Sequence, residues 1–352
     1  MIHAFVRRSS DVEYLTADRA DELDGLRSGG PGWWLRGGGD ERSASDVGTI
    51  LATTPRSTVT GYDLVVAAPR PLSILIAIDT EVAPEVVSAH RDGVSAAVDY
   101  LEERALVVRR RVAGDEIVEG AQWSRVVSFT HGVNRDGEPH LHDHVLVGAL
   151  PAGASTVADS RSLFAHLGAA DSVYRATVRD VMNLRTERTA WRTFAGNELV
   201  SGVDEGFRAI WSGHIDERGP KKAWTRRAIV EHWRDDAARF EAVGTPRAPH
   251  YRAFDEHRFR GSFEGATHIT RRDLVRAWAD ASPFGASGAE IGAAIDRLHP
   301  HLGLARGMAE RPLRLVEARR VDRELERTRA SSLVVGPGEG RYRERDSRVR
   351  SR

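Results

Sequence analysis

The sequence feature that most constrains the fold is a histidine-rich stretch, HGVNRDGEPHLHDH, over residues 131–144. The β-branched run VVSFT precedes it and the run HVLVGAL closes it, so each side is typical of a strand. Between the two runs, Arg-Asp-Gly is a turn signal, which predicts a β-hairpin. Because hairpins join antiparallel strands, this stretch favours an antiparallel sheet over a doubly wound parallel one.

Other segments supply the helices and strands expected around this hairpin. Strands are predicted at IHAFVRR, at LVVRRRV and, as two short strands interrupted at APRP, within GYDLVVAAPRPLSILIAID. Helices are predicted for residues 10–26, for PEVVSAHRDGVSAAVDYLEERA and for residues 159–187, whereas SGGPGWWLRGGGD indicates a flexible loop. The fold class is therefore α+β, with a central antiparallel sheet flanked by helices.

The length of 352 residues suggests more than one structural unit. We expect a first domain over residues 1–265 and a helical extension over residues 266–330, in which THITRRDLVRAW opens on a threonine cap. Residues 331–352 are predicted to be a disordered basic tail, since the last twelve residues contain six arginines and two acidic residues.

Composition limits the classes of partner and site. The 51 basic and 51 acidic residues give a formal net charge of +0, so a DNA partner would have to be held by a local basic patch. No segment approaches the roughly 20 consecutive apolar residues of a membrane span. The opening MIHAFVRRSS lacks the apolar core of a signal peptide, which predicts a cytoplasmic location. Without cysteine, a metal site must use histidine and carboxylate ligands.

The histidines of the hairpin form a candidate metal site. Residues two apart on a strand share a face, so His140, His142 and His144 are predicted to point the same way at intervals of about 7 Å. His131, on the preceding strand, can add a further imidazole. These side chains would repel one another on protonation unless they shared a cation. His140 is the least secure ligand, because it can equally lie beside the metal or contact DNA.

The spacing of the histidines resembles the three-histidine motif of conjugative relaxases of the MobF, or TrwC-like, class, which belong to the HUH endonucleases. In that motif a first histidine is followed eleven residues later by a second and then, after one intervening residue, by a third, matching His131, His142 and His144. The resemblance therefore implies that His140 is a neighbour of the metal and not a ligand.

Two further blocks carry the same resemblance. YDLVVAAPRPLSILIAI resembles the aspartate-containing strand of the family and the segment after it, which places Asp63 on the functional aspartate and Arg70 on a lysine. ADSRSLFAHLGAADSVYRATVR resembles the helix that follows the histidine strand. The three blocks cover about residues 1–200 in the family's order, which implies the palm-like HUH relaxase fold over this part of the chain.

The resemblance implies a metal-dependent enzyme that nicks and religates single-stranded DNA at a transfer origin, in conjugation or plasmid mobilisation. The expected nucleophile is Tyr14, which lies where the family carries its catalytic tyrosines and would form a 5′-phosphotyrosine intermediate. Many members carry two pairs of tyrosines there, whereas EYLTADRADELDGL has one. Asp63 is expected to act either as a base toward Tyr14 or as the carboxylate that orients a ligating histidine. The expected cofactor is a divalent ion: Mg, Mn or Zn.

The expected DNA contacts are of two kinds, phosphate-binding and base-stacking. The candidates are Arg70, Arg161, Arg175 and His140 for the backbone, and Trp33 and Trp34 for unpaired bases. The sequence has no GxxxxGK[ST] loop, so we expect either that the helicase is a separate protein or that the chain is a truncated or standalone relaxase. Accessory DNA-binding proteins and a coupling protein are the other expected partners.

Three alternatives stay open at this stage. A rolling-circle replication initiator shares the HUH chemistry, but usually has a two-histidine motif with the tyrosine after it. A three-histidine metal hydrolase acting on small molecules would need no tyrosine. A DNA-binding module without catalytic activity would bind an origin without cutting it.

Overall fold

The structure is a computed structural model. It describes residues 1–8, 33–36, 50–51, 57–113, 115–134, 137–204, 207, 211, 226–238, 247–249, 254–266, 268–298 and 313–314. Its strands are β1 (Ile2–Arg7), β2 (Trp33–Arg36), β3 (Gly61–Ala67), β4 (Val107–Val112), β5 (Asp115–Gly120), β6 (Val126–Val133), β7 (Pro139–Gly148), β8 (Ala190–Arg192), β9 (Glu198–Val200), β10 (His268–Ile269) and β11 (Leu313–Arg314). Its helices are α1 (Arg70–Ile78), α2 (Ala83–Arg104), α3 (Ser160–Arg185), α4 (Arg226–Ala238), α5 (Glu256–Gly261), α6 (Arg271–Asp280) and α7 (Gly288–Leu298).

A five-stranded antiparallel sheet in the order β1-β3-β7-β6-β2 forms the centre of the fold. The predicted hairpin is its β6–β7 pair, and β7 lies in the middle of the sheet with β3 on its other side. The α+β prediction is therefore confirmed. The central place of β7 matters for function, because a strand paired on both edges holds its side chains in a fixed register.

The two faces of this sheet have different surroundings. Alternate residues of β3 and β7 on one face, including Leu64, Leu141 and Val145, are buried in the main core with apolar residues of α2 and α3. We call this the helix-packed face. The opposite face carries the three histidines of the motif together with Asp63, and we call it the histidine face. On it, Phe129 and Leu146 pack against Ile50 and Leu51.

Helix α1 replaces the second of the two strands predicted in GYDLVVAAPRPLSILIAID, so that prediction was wrong. Pro71 lies in its first turn, where the missing N–H costs no helical hydrogen bond. Every residue from Pro71 to Ile76 is buried. A helix buried on all sides shows no amphipathic period, so a short apolar run of this kind has the sequence pattern of a buried strand.

Several other predictions can be compared with the structure. Residues 33–36, assigned to a flexible loop, form the edge strand β2, and β5 was not predicted. The strands at IHAFVRR and LVVRRRV and the helices α2 and α3 are confirmed. The helix predicted for residues 10–26 lies outside the described residues. No helix within the described part of the chain is long and apolar enough to cross a membrane.

Helices α6 and α7 pack against α3 through a second apolar cluster that includes Val173, Leu274 and Ile295. Thr270 caps α6 in a capping box with Asp273, as the threonine in THITRRDLVRAW predicts. The domain boundaries at 265 and 330 stay a prediction, and residues 331–352 lie outside the described residues.

Candidate metal and DNA-nicking site

The register of the β6–β7 hairpin brings the three histidines together. His131 lies directly opposite His142, and Phe129 lies opposite His144, so all four side chains emerge on the histidine face. One ring nitrogen from each of His131, His142 and His144 lies within 4.8 Å of the others. The ring centroids are 5.2–5.4 Å apart. Three imidazole ligands from two paired strands thus converge on one point.

Hydrogen bonds fix the ring orientation of two of these histidines. The Nδ1 atom of His144 lies 3.0 Å from both carboxylate oxygens of Asp63, on the neighbouring strand β3. The Nδ1 atom of His142 lies 2.8 Å from the backbone oxygen of His140. Because these partners accept hydrogen bonds, Nδ1 carries the proton in each ring and Nε2 keeps its lone pair. Such a partner behind each imidazole is the usual arrangement for a metal-binding histidine.

The protonation of the site also suits a cation. Burial lowers the pKa of His142 well below its ordinary value, and the neighbouring histidines lower it further. The ring is therefore neutral at neutral pH, which is the state that binds metal. Three imidazole ligands would leave coordination positions for other ligands, as in catalytic and not structural metal sites. The residues present thus fit a divalent cation.

His140 lies on the same face, but it is not one of the histidines whose ring nitrogens lie within 4.8 Å of one another. Its ring centroid is 4.7 Å from that of His142, and its backbone oxygen accepts the hydrogen bond from His142. Burial, with the positive charge of Arg70 nearby, lowers the pKa of His140 to about 4. Its clearest contribution is therefore to hold His142 through the main chain.

Arg70, at the start of α1, is already engaged within the protein. Its guanidinium lies 3.1 Å from the carboxylate of Glu138 and donates to the backbone oxygen of Pro139 at 3.0 Å. Ser73, one turn later, accepts a hydrogen bond from the backbone N–H of Leu141. Helix α1 is thus joined to the beginning of β7, one residue before His140.

The other two candidate arginines occupy different places on α3. Arg175 is partly buried and forms an ion pair with Asp171 at 2.9 Å. Arg161 is exposed in the first turn, close to Phe164, whose ring packs edge-on against Tyr62. Tyr62 and Ala67 lie five residues apart on β3, about 17 Å along the strand, and Ala67 is the residue that pairs with His142. The structure therefore does not bring Arg161 into the histidine cluster.

The remaining sequence-predicted residues fall partly outside the described structure. Tyr14 lies outside the described residues. Trp33 and Trp34 belong to β2, the edge strand that pairs with β6 opposite Ser128 and Val127. Their backbone thus lies one strand away from the strand that carries His131.

Sequence reasoning missed a buried polar cluster on the helix-packed face. Asp143, between His142 and His144 on β7, is fully buried and contacts Ser128 and His90. Tyr174 contacts the other ring nitrogen of His90. The available signal was the acidic residue in the middle of HLHDH, because strand alternation directs it into the core, where an isolated carboxylate would be costly.

The fold and the site together define a class: an α+β protein whose antiparallel sheet carries a three-histidine site suited to a catalytic metal. The model of one family, described as TrwC relaxase, matches residues 33–213, which is just over half of the chain. The chain belongs to the TrwC relaxase family.

Solved structures of a conjugative relaxase TrwC share the fold. The chain resembles a metal-bound complex with oriT DNA at 17% identity and a TM-score of 0.54, covering 68% of this chain and 98% of that chain. A copper-bound complex gives 19% identity and a TM-score of 0.55 with the same coverage. A complex with a 27-mer DNA that comprises the recognition hairpin and the cleavage site gives 17% and 0.51. No curated protein is significantly similar in sequence.

Proposed function

We propose that this relaxase cuts one strand of DNA at a transfer origin by joining the 5′-phosphate to Tyr14, with a divalent cation held by His131, His142 and His144. The observation that carries the proposal is the convergence of three imidazoles, two of them oriented by hydrogen bonds, beside Asp63 in a chain of the TrwC relaxase family. The TrwC structures with the same fold are complexes with oriT DNA, which supports single-stranded origin DNA as the substrate.

Each group on the histidine face has a separate role in the proposed reaction. A cation bound there would neutralise the non-bridging oxygens of the scissile phosphate and make the phosphorus easier to attack. Asp63 holds the ring of His144, and the backbone oxygen of His140 holds that of His142. The neutral ring of His142 need lose no proton before it binds. The contact between Asp63 and His144 supports the orienting role for this carboxylate, and its alternative role as a base toward Tyr14 remains to be tested.

The covalent step conserves the energy of the phosphodiester. The phenol of Tyr14 has an ordinary pKa of about 10, so it must lose its proton to a base before its oxygen attacks phosphorus. As the new bond forms, the bond from phosphorus to the 3′-oxygen breaks, and that oxygen takes up a proton to become a 3′-hydroxyl. The reverse attack by a 3′-hydroxyl restores the phosphodiester and frees Tyr14. Nicking and religation are therefore the same reaction in opposite directions.

Contacts along the DNA strand are a further part of the proposal. Trp33 and Trp34 are candidates for stacking on unpaired bases near the nick, where each stack would contribute roughly 1–3 kcal/mol. Arg161 is available for a phosphate, whereas Arg70 and Arg175 would have to exchange or extend their present ion pairs to bind one. The ring of His140 lies against that of His142. We expect the reaction in the cytoplasm. A helicase, accessory DNA-binding proteins and a coupling protein are the further partners we expect.

Covalent capture tests the proposal. Wild-type protein incubated with single-stranded origin oligonucleotides and Mg²⁺, Mn²⁺ or Zn²⁺ should form an adduct that denaturing electrophoresis detects, and peptide mapping should locate it on Tyr14. The Tyr14→Phe variant and wild type with EDTA should form none. Adducts on another tyrosine would refute the assignment of Tyr14. Metal-dependent hydrolysis without an adduct, persisting in Tyr14→Phe, would favour the metal hydrolase, and binding without cleavage would favour a DNA-binding module.

A further inference from the structure

The two proposed ligands on β7, His142 and His144, flank Asp143, which lies on the opposite face of the strand. The side chain of Asp143 is 0% exposed. One of its oxygens accepts a hydrogen bond from the hydroxyl of Ser128 at 2.5 Å, and the other lies 3.0 Å from Nε2 of His90. An acidic residue is rarely buried so completely unless it is paired, and its partners come from two elements, β6 and α2.

The contacts continue into the helical layer. Nδ1 of His90 lies 2.7 Å from the hydroxyl of Tyr174 on α3, and the two rings meet edge to face. Burial raises the pKa of Tyr174 well above its ordinary value, so the phenol keeps its proton and donates it to Nδ1. His90 then carries its own proton on Nε2 and donates it to Asp143. Ser128, Asp143, His90 and Tyr174 thus form a buried chain of hydrogen bonds, which we call the buried relay.

The packing of α2 against α3 keeps this relay in place. Gly93 lies one turn after His90 on α2 and faces α3. A Cβ atom at Gly93 would lie 2.5 Å from a methyl carbon of Val178 and 2.8 Å from the ring of Tyr174. Only glycine therefore allows the helices to approach so closely that the Tyr174 hydroxyl reaches His90.

The position of Asp143 in the strand connects the relay to the metal site. Its side chain lies one residue from each of two proposed ligands, on the face of β7 opposite to the histidine face.

From this arrangement we infer that Asp143 is a positioning residue for the metal site, fixed by Ser128, His90 and Tyr174. Its side chain fixes the rotation of β7, so that His142 and His144 both point to the histidine face. The inference rests on the proposed metal site, but it requires neither DNA nor cleavage.

Metal titration without DNA tests the inference. We would titrate the full chain with Co²⁺, follow the visible absorption of the bound ion, and obtain the Zn²⁺ affinity by competition. Asp143→Asn keeps the shape but replaces one of the two accepting oxygens with an amide group that donates, so one contact of the relay is lost, and we expect about a tenfold weaker Kd with an altered Co²⁺ spectrum. Tyr174→Phe removes one hydroxyl at the far end of the relay, and we expect a smaller loss, about threefold, in the same direction.

The control separates positioning from general loss of stability. Ile295, on α7, is 0% exposed and belongs to the cluster between α3 and α7, away from β7. Ile295→Ala should lower the melting temperature and leave the Kd and the spectrum of Co²⁺ unchanged. If Asp143→Asn behaves in the same way when both variants are measured well below their melting temperatures, the relay is only structural and the inference is refuted. Loss of covalent DNA capture with intact metal binding would count against the proposed function and not against this inference.

Discussion

The two faces of the central sheet are built from the same strands but serve different purposes. On β7, Leu141, Asp143 and Val145 face the helices and are fully buried, whereas the residues between them, His142 and His144, lie on the histidine face. The helix-packed face gains stability from apolar contacts, which are insensitive to the exact direction of a side chain. The histidine face depends on direction, because a metal ligand must point its lone pair to one place.

The packing around β7 holds the backbone that carries the histidines in a fixed position. β7 is paired with β3 on one side and β6 on the other, and two long helices cover its helix-packed face. Each histidine therefore starts from a backbone that cannot shift without breaking the core. Function and stability should be separable by substitution, even between consecutive residues of HLHDH.

The largest effect is expected for His142→Ala. Removal of this proposed ligand should reduce covalent DNA capture at least about 100-fold, because losing a ligand is more damaging than losing a residue that only orients one. The free energy of unfolding without metal should change by only about 1 kcal/mol. Oligonucleotide capture and denaturant titration measure the two quantities.

His166→Gln is the matched control for His142→Ala. His166 is also buried, but it lies on α3, 2.9 Å from the hydroxyl of Tyr100 and away from the histidine cluster. This variant should retain metal binding and DNA capture. If His142→Ala retained normal capture in the presence of EDTA, the histidine face would not be a metal site.

Leu141→Ala should lower stability and leave metal binding nearly unchanged, which is the opposite of what we expect for His142→Ala. Leu141 is 0% exposed in the main core, and its truncation should reduce the free energy of unfolding by about 2–5 kcal/mol. Well below the melting temperature, the folded protein should still bind Co²⁺ within about threefold of wild type. Denaturant unfolding and Co²⁺ titration measure these two quantities in both variants. A loss of metal affinity as large as that of His142→Ala would show that the two faces are not separable.

The histidine face was largely predictable from sequence, and the reason is local. His131, His142 and His144 are related by one hairpin, whose register follows from strand alternation and a short turn. The functional role of Asp63 was predicted only through the family resemblance, because Asp63 and His144, which are in contact, lie 81 residues apart in the chain. No local pattern determines which strand lies beside β7.

The helix-packed face and its surroundings were less predictable. The pairing of His90 with Asp143 depends on the packing of α2 on the sheet, so His90 looked like one of many scattered histidines. Helix α1 was mistaken for a strand because burial on every side removes the period that distinguishes the two. Strand β2 was missed because it is only four residues long and lies between glycine-rich flanks.

Asp63→Asn tests a residue that shares features of both faces, since Asp63 is buried like a core residue (4% exposed) but lies on the histidine face. An asparagine can still accept a hydrogen bond from His144, but it lacks the charge that favours the Nδ1-protonated ring. We expect metal affinity to fall about tenfold and DNA capture to fall in parallel, with recovery at high metal concentration. Co²⁺ titration and capture across metal concentrations measure this. If capture fell at every metal concentration while affinity stayed normal, Asp63 would be the base toward Tyr14.

The smallest effects are expected where α1 meets the start of β7. Glu138→Gln removes the charge that pairs with Arg70 and can keep the hydrogen bonds that Glu138 forms with Asn134. The free energy of unfolding should fall by about 1 kcal/mol, because the ion pair is only partly buried.

The same substitution also tests whether Arg70 contacts DNA. If Arg70 binds a phosphate, loss of its ion pair with Glu138 should tighten binding of a single-stranded oligonucleotide by about threefold. Arg70→Gln should weaken the same binding and reduce its salt dependence by about one phosphate contact. Fluorescence anisotropy over a series of salt concentrations distinguishes the variants. Opposite shifts in DNA affinity would assign Arg70 to the DNA-binding surface, whereas loss of stability in both variants with unchanged affinity would limit it to holding β7 in register.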